Sequence, residues 1–414
     1  MPSVLRSPRL RRVIVAYTIN RTGTWFGVIA LSLAVFDHTH SGLAVAALLI
    51  CSQALPAFIV PAVVARVEAS KQRSELSALY AIEAVATAAL AVLLWNFWLP
   101  GILLLVAIDG TAALAASALL RTEAARVARE ELEAPDEHEA EQKANAALNI
   151  AFSATFVAGP ALAGVVVSVW GAPTALLIDV GSFVICALLL LDLSPHVLQE
   201  ENESVRARLV TAWVHIRTVP PLRDLMIAQS IGLVFFEAAA PIEVAYANRT
   251  LHAGDHGYGI LVSAWGVGVV IGSILFARAG SRRLRLMVTG GTLAVGAAYL
   301  GFAIAPTLAV ASLAAAVGGV GNGVELAPVI SGVQRLTPDA LQGRVMGAVE
   351  ALGAIFPGLG LILGGVLVSV VSPRVAFAVI GSGACLTAIL FVRVHLDRVP
   401  AVPSGAATPA DALH

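Results

Sequence analysis

Short basic patches alternate with long apolar stretches along almost the whole of this chain. Of its 26 Lys and Arg residues, 23 fall in patches, and two apolar stretches separate each patch from the next. A water-soluble domain has no reason for this arrangement, whereas a bilayer protein has one, because basic loops are retained on the cytoplasmic side. The pattern therefore constrains the class of protein, the number of membrane spans and their orientation together.

The composition excludes a globular domain with a water-exposed surface. The chain is 58% hydrophobic and 13% charged, whereas a soluble domain carries about 25% charged residues. Its net charge of −1 is segregated by side rather than gathered on one face, so we expect no nucleic-acid partner. The cysteines Cys51, Cys186 and Cys385 lie inside apolar stretches without metal-ligand spacing. We therefore expect packing roles for them, no metal site and no cofactor.

Twelve stretches are long and apolar enough to form membrane helices, since a bilayer core needs about 20 residues per helix. Turn signals such as Gly171-Ala172-Pro173 and Ser372-Pro373 separate several of them. The predicted fold class is therefore an all-α polytopic membrane protein. The predicted spans are residues 13–36, 42–65, 77–98, 100–120, 145–169, 173–193, 222–246, 257–277, 286–304, 307–332, 345–371 and 375–394.

The basic residues also predict the orientation of these spans. Arg249 and Arg374 fall in predicted outer loops, and Arg21 is the one basic residue inside a span. The 23 others lie on the opposite side, which predicts that both termini are cytoplasmic. Arg greatly outnumbers Lys, as is typical of GC-rich bacterial genomes, so we expect a multi-pass protein of a bacterial inner or plasma membrane.

A polar segment divides the chain into two halves. The predicted domains are a six-helix bundle at 1–194, a cytoplasmic linker at 195–221, a second six-helix bundle at 222–396 and a disordered cytoplasmic tail at 397–414. Ala65-Arg66 and Ala277-Arg278 end the second and eighth spans at equivalent places. Such a correspondence is what a parallel repeat of two six-helix bundles predicts.

Three stretches resemble motifs of the major facilitator superfamily. They are Ala277-Arg278-Ala279-Gly280-Ser281-Arg282-Arg283, Gly159-Pro160-Ala161-Leu162-Ala163-Gly164 and Gly343-Arg344-Val345. The first is similar to the D-R-x-G-R-R loop of that family, with Ala in place of Asp, and the second is similar to its exporter motif G-P-x-x-G-G. The likeness implies two six-helix pseudo-repeat bundles, and an inner-gate salt-bridge set that includes Glu350. The implied gating or structural residues are Arg66, Gly159, Pro160, Gly164, Arg278, Gly280, Arg282, Gly343, Arg344 and Glu350.

Within that superfamily, the chain most resembles the bacterial branch that exports drugs, macrolides and siderophores. This likeness rests on Asn145-Ala146-Ala147-Leu148-Asn149, Asp179-Val180-Gly181-Ser182-Phe183 and Gln334-Arg335-Leu336-Thr337-Pro338-Asp339. It implies an antiporter for multidrug-type substrates, which exports amphipathic small molecules by alternating access in exchange for protons. We expect the protein to work as a monomer in the lipid bilayer.

Four charged residues lie deep within spans, where a charge is costly and by default functional. Arg21, Asp109, Glu237 and Glu325 occupy spans one, four, seven and ten, with one residue on each. The resemblance implies that these spans line the central cavity. Because burial favours the neutral form of a carboxylic acid, the three acids are candidates for proton coupling. Arg21, with Asn20 beside it, is a candidate counter-charge for Asp109 or a candidate substrate-binding cation.

Other polar residues in or near the spans have weaker claims to function. Glu83 is predicted to be shallow in the third span and to pair with a cytoplasmic Arg, and Asp179 is expected near a solvated span end. Glu243 is a candidate charge at the mouth of the cavity. His38 and His40 form an H-x-H in an outer turn, where two ligands rarely suffice for a metal ion.

The motifs leave several functions open. No nucleotide-binding or hydrolytic motif is visible, so we expect no enzyme activity. The small number of polar residues in the spans favours a large amphipathic substrate over a sugar. An uptake permease for a small solute is the alternative transport function. A membrane sensor or scaffold without transport is the alternative class, with the acidic segment 122–144, predicted to be a solvated helix, as its interaction arm.

Overall fold

A computed structural model describes residues 7–60, 63, 75–132, 137–191, 205–279 and 284–394. Arg66, Gly280 and Arg282, three of the predicted gating residues, lie outside these ranges. Within the ranges, the chain is helical apart from short turns and contains no strand. The predicted all-α class is therefore confirmed.

Thirteen consecutive helices, α1 to α13, make up the structure. In the first half, α1 to α6 are Pro8–Thr39, Gly42–Val60, Glu75–Leu93, Leu99–Glu131, Glu137–Trp170 and Ala172–Leu189. The linker helix α7 is Val205–Thr218. In the second half, α8 to α13 are Pro220–Thr250, Gly254–Ala279, Leu284–Ile304, Leu308–Arg335, Asp339–Val370 and Pro373–Arg393.

Local sequence signals explain where several helices begin. Pro8 and Pro373 lie in the first turns of α1 and α13, where the missing N–H of proline costs no helical hydrogen bond. The Thr307 hydroxyl accepts a hydrogen bond from the backbone N–H of Val310 and so caps α11. These starts agree with the turn signals between the predicted spans.

All helices except α7 are long and apolar enough to cross a membrane, which gives twelve candidate spans among the described residues. The protein is therefore a multi-pass membrane protein with the predicted number of spans. Helices α4 and α5 extend furthest beyond their predicted spans, because α4 continues to Glu131 and α5 already begins at Glu137. Most of the acidic segment 122–144 thus forms the ends of two membrane helices. Salt bridges such as Arg129–Glu141, at 2.9 Å, join these ends.

The twelve candidate spans among the described residues are an even number, so α1 begins and α13 ends on the same side of the molecule. We call this side, where α1 begins and α13 ends, the terminal side, and the opposite side the distal side. Trp95, Trp98 and Trp170 are exposed at distal helix ends, as expected of rings at a membrane interface. The linker helix α7 joins the two halves on the terminal side and packs against α8 and α12.

The two halves approach each other closely through small residues on the distal side. Helix α5 lies against α9, and a Cβ atom on Gly259 would be 2.3 Å from the carbonyl oxygen of Pro160 and 3.2 Å from the Cα atom of Gly164. Helix α2 lies against α12, where a Cβ atom on Gly365 would be 3.1 Å from the carbonyl oxygen of Gly42. Small residues thus allow backbones of opposite halves to touch.

Polar contacts add to this distal interface. The backbone N–H of Ala161 donates a 2.8 Å hydrogen bond to the Ser263 hydroxyl across the two halves. The Arg249 guanidinium donates to the carbonyl oxygen of His40 and lies 4.8 Å from the centre of the Phe36 ring. The contacts described here hold the distal ends of the two bundles together.

Candidate functional site

Three carboxyl groups meet in a cavity inside the first half. Glu83 of α3, Asp109 of α4 and Asp179 of α6 line a cavity of about 50 Å³, together with residues of α1 and α2. Glu83 is 0% exposed and Asp179 is 3% exposed. Glu83 lies within electrostatic reach of both aspartates. We call this space the N-half carboxylate cavity.

The packing of α1 against α6 creates the place for Asp179. A Cβ atom on Gly23 would lie 2.4 Å from one Asp179 carboxylate oxygen, and a Cβ atom on Gly27 would lie 2.7 Å from the other. Two glycines one helical turn apart therefore cradle the carboxyl group. Hydroxyl groups donate hydrogen bonds to both aspartates of the cavity. Ser182 donates to Asp179 at 3.2 Å, and Thr87 donates to Asp109 at 3.1 Å.

The cavity has negative groups without basic partners. None of the described residues that line it is Lys, Arg or His. Both carboxylate oxygens of Glu83 are buried without a hydrogen-bond partner among the described residues. Holding even one unpaired ion in a protein interior costs several kcal/mol. The arrangement therefore requires protons or another cation when the protein is folded.

The predictions for Glu83 and Asp179 are corrected by this geometry. Glu83 forms no ion pair with an Arg among the described residues, and Asp179 does not reach a solvated helix end. Both predictions rest on the distance of the residue from the end of its span. That distance does not reveal the face of the helix on which the residue lies. The pair of glycines in α1, spaced like a helix-packing motif, is the sequence signal that could have indicated the place of Asp179.

Arg21 lies apart from these carboxyl groups. Its guanidinium carbon is 5.2 Å from the centre of the Phe152 ring, and Tyr17 and Tyr80 are its electrostatic neighbours. Its Nε atom is buried without a hydrogen-bond partner among the described residues. The structure therefore does not show the predicted ion pair with Asp109. Asn20 contributes its backbone carbonyl to a 2.9 Å hydrogen bond from the Thr24 hydroxyl.

The second half contains a different cavity, of about 190 Å³. Glu325 of α11 lines it together with the amides Gln229 and Asn322 and with the hydroxyl of Thr292. The Gln229 Oε1 atom is buried without a hydrogen-bond partner among the described residues. We call this space the C-half amide cavity.

Two further acids of α8 lie outside both cavities. Glu237 faces α12, where a Cβ atom on Gly360 would be 3.0 Å from the Glu237 Cβ atom. Glu243 lies within electrostatic reach of Tyr258 and Tyr299, closer to the distal end of the helix. The predicted set of Arg21, Asp109, Glu237 and Glu325 is therefore distributed over several places: Asp109 and Glu325 line separate cavities.

A third cavity opens near the terminal side. It measures about 350 Å³ and is lined mainly by apolar side chains of α7, α8 and α12, among them Ile227 and Phe356. Arg217 also lines it and lies 5.1 Å from the centre of the Trp213 ring. We call this space the terminal apolar cavity.

The predicted gating residues have varied places. Gly159 of α5 lies close to Trp25. Pro160 and Gly164, also in α5, face α9 at the distal interface. Glu350 is exposed and forms no ion pair with any residue that the structure describes. The structure thus gives no support to a salt bridge of Glu350.

The remaining motif residues lie on the terminal side. Arg278 is exposed in the last turn of α9. Gly343 and Arg344 lie in the first two turns of α12. Among the described residues, no three His, Cys, Asp or Glu side chains are grouped so that they could form a metal centre.

The fold is similar to that of several solved transporters. The crystal structure of the nucleoside transporter NupG is 15% identical, with a TM-score of 0.68 over 94% of this chain and 99% of that chain. The in meso structure of the POT family transporter PepTSo is 10% identical, with a TM-score of 0.69 over 93% of this chain and 97% of that chain. A bacterial homologue of the human lysosomal transporter Spinster, inward-facing and unoccupied, is 12% identical, with a TM-score of 0.64 over 94% of this chain and 95% of that chain.

Sequence comparison adds a match in the second half. The profile described as Major Facilitator Superfamily matches residues 225–412, and a search of curated proteins finds no match. The chain therefore shares its fold with these solved transporters, and residues 225–412 of its second half also match the major facilitator model in sequence. These comparisons do not single out the efflux branch that the sequence motifs resemble.

Proposed function

We propose that the protein is a secondary active transporter that exports amphipathic small molecules in exchange for protons. The distal interface between the two halves is the observation that carries this proposal. Small residues of α5 and α9, such as Gly164 and Gly259, bring two backbones together with few polar links. Contacts of this kind can part and form again at a low cost, since they depend on close packing. Alternating access requires such a separable interface.

The terminal apolar cavity supports an amphipathic substrate. Its volume of about 350 Å³ lies in the range of small-molecule sites, which runs from roughly 300 to 1,000 Å³. Its wall is mostly apolar, with Arg217 and Arg223 as charged members. A sugar would need more hydrogen-bonding groups than this wall offers.

The buried acids support proton coupling. Asp109 and Glu237 lie inside the bundles, where burial favours the neutral acid and contact with water favours the ion. A carboxyl group that alternates between these surroundings takes up a proton on one side and releases it on the other. Proton binding and substrate release would then be linked through the movement of the two halves.

The proposal also includes an orientation. We place the terminal side in the cytoplasm of a bacterial inner or plasma membrane, because 23 of 26 basic residues belong to predicted loops on that side. The test replaces Arg126 and Arg249 by cysteine in separate variants and treats intact cells with a membrane-impermeant thiol reagent. We expect labelling at position 249 only, and the reverse result would overturn the orientation.

The transport function is tested in proteoliposomes with an imposed pH gradient. A fluorescent lipophilic dye, a macrolide and a siderophore serve as probes, and flux is measured for the wild type, Asp109→Asn and Glu237→Gln. We expect pH-driven export by the wild type and a loss of most of it in both variants. Glu141→Gln, which removes a carboxyl group paired with Arg129 outside the cavities, is the control. Full pH-driven flux in both Asp109→Asn and Glu237→Gln would contradict proton coupling through these acids.

An uptake permease is the second candidate function. The similar solved structures include a nucleoside transporter and a peptide-family transporter, and a shared fold is compatible with either direction of transport. The same proteoliposomes distinguish the two functions, because the sign of the gradient that drives accumulation gives the direction. No flux of any probe under either gradient would favour a sensor or scaffold.

A further inference from the structure

The N-half carboxylate cavity offers free oxygen atoms of more than one chemical type. Glu83 presents two carboxylate oxygens without hydrogen-bond partners among the described residues. Ser32 of α1, which also lines the cavity, is 0% exposed, and its hydroxyl oxygen likewise has no partner there. A buried hydroxyl without a hydrogen-bond partner destabilises the folded protein. The Ser32 hydroxyl thus points independently of the acids to a bound ligand.

The backbone near the cavity is irregular as well. Helix α2 contains a π-helical turn, Ile50–Ala54, and Ser52 within this turn lines the cavity. π-helical turns are rare and are often found at functional sites, because they displace the regular ladder of carbonyl groups. The hydroxyl of Ser52 donates to the carbonyl of Leu49 at 3.1 Å and keeps its own lone pairs available.

The chemistry of this lining selects the class of ligand. Carboxylate and hydroxyl oxygens are ligands for hard cations, whereas soft metals prefer sulfur and many transition metals prefer imidazole. The described lining contains neither Cys nor His. Of the three acids in the lining, Glu83 alone has buried oxygens without a hydrogen-bond partner among the described residues, whereas Asp109 and Asp179 accept hydrogen bonds from hydroxyl groups. One free carboxylate with neutral oxygens is better matched to a monovalent ion than to a divalent one.

The size of the cavity leads to the same conclusion. Its volume of about 50 Å³ is close to that of one or two water molecules, each of which occupies about 30 Å³ in the liquid. A dehydrated ion fits this space, whereas an amphipathic substrate needs several hundred Å³. The volume of the cavity is therefore matched to an ion rather than to an amphipathic substrate.

We propose that the N-half carboxylate cavity binds a sodium ion, with the Glu83 carboxylate and the Ser32 hydroxyl among its ligands. Asp109 and Asp179 line the same cavity beside the ion. A sodium site goes beyond proton export, and it makes the first half responsive to sodium as well as to pH. Sodium binding is measured without transport, so a failure to bind sodium would leave the proposed transport function standing.

Thermal unfolding of the full chain in detergent provides the first test. Unfolding midpoints are compared in NaCl, KCl and choline chloride at equal ionic strength. Binding to the folded state at 100 times the dissociation constant shifts the ratio of folded to unfolded protein by about 100-fold. We expect this stabilisation with sodium only. Equal midpoints in the three salts would overturn the proposal.

Retention of radioactive sodium by the purified protein provides the second test, and variants locate the site. We expect Glu83→Gln and Ser32→Ala each to weaken sodium binding by about tenfold or more, as loss of an ion contact does. Ser32→Ala removes only a hydroxyl group and keeps the result interpretable if Glu83→Gln folds poorly. Glu243→Gln, at a carboxyl group outside the cavity, should bind sodium like the wild type. Unchanged binding in Ser32→Ala and Glu83→Gln would exclude this site.

Discussion

The two halves share a scaffold but place different chemistry inside it. In the first half, Asp109 of α4 shares a cavity of about 50 Å³ with two other carboxyl groups. In the second half, Glu325 of α11 shares a cavity of about 190 Å³ with the amides Gln229 and Asn322. Each acid lies on the fourth membrane helix of its half and has a threonine of the preceding helix nearby, Thr87 or Thr292.

This difference teaches how one fold can separate two tasks. Several acids in a small cavity repel one another, so the first half requires positive charge to be stable. One acid among amides has neutral hydrogen-bonding groups around it, so the second half can bind a polar group without a change of charge. The N-half carboxylate cavity is therefore the candidate for ion coupling, and the C-half amide cavity is the candidate for recognition of a polar group of the substrate.

Both proposed tasks require the two halves to move against each other. Gly259→Leu should have the largest effect on transport, because it disturbs the interface at which they part. The added side chain would meet the Pro160 carbonyl oxygen, since even a Cβ atom would lie 2.3 Å away. Overpacking by about 1–3 kcal/mol favours the separated distal interface by roughly 5- to 150-fold. We expect transport to fall by a similar factor in the proteoliposome assay.

Thiol labelling provides the structural readout for that variant. A cysteine at Gly164, on the facing surface of α5, should react faster with a water-soluble reagent in Gly259→Leu than in the otherwise unchanged protein. Full transport together with unchanged labelling would show that this interface does not open and close.

Glu325→Gln sharpens the division between the halves through transport kinetics. We expect this variant to raise the substrate concentration for half-maximal flux by about tenfold, as loss of one good polar contact does. The ratio of protons to substrate should remain unchanged. Asp109→Asn should show the opposite pattern, with altered proton coupling and little change in half-saturation. If both variants alter coupling equally, the assignment of separate tasks is wrong.

Glu83→Met tests the charge imbalance through stability. Replacement of buried ionic groups by apolar residues of similar volume often stabilises a protein by about 1–4 kcal/mol, and Glu83 has no partner for either oxygen among the described residues. Thermal unfolding in sodium-free buffer should show a raised midpoint. The matched variant Glu325→Met should gain less, because amide groups line its cavity. A lowered midpoint for Glu83→Met would mean that the carboxyl group has a stabilising partner.

The architecture was predictable from the sequence because it depends on patterns of many residues. Twelve apolar stretches and the basic patches between them correspond to the twelve candidate spans of the structure. The site was predictable only in part. Asp109 and Glu325 were found because a charge near the middle of an apolar stretch is conspicuous. Glu83 and Asp179 were misjudged, because their meeting point depends on how α3 and α6 are rotated against their neighbours.

The smallest predicted effect concerns the glycine cradle of Asp179, and it compares two glycine-to-alanine changes. A Cβ atom on Gly23 would lie 2.1 Å from the Ser182 hydroxyl oxygen, whereas one on Gly181 would meet nothing within 4 Å. We expect Gly23→Ala to lower stability by about 1–3 kcal/mol through overpacking, and Gly181→Ala to raise it by up to about 1 kcal/mol through helix propensity. Unfolding midpoints that shift in the same direction would show that α1 and α6 can move apart, and that the cradle does not fix the carboxyl group in the first half.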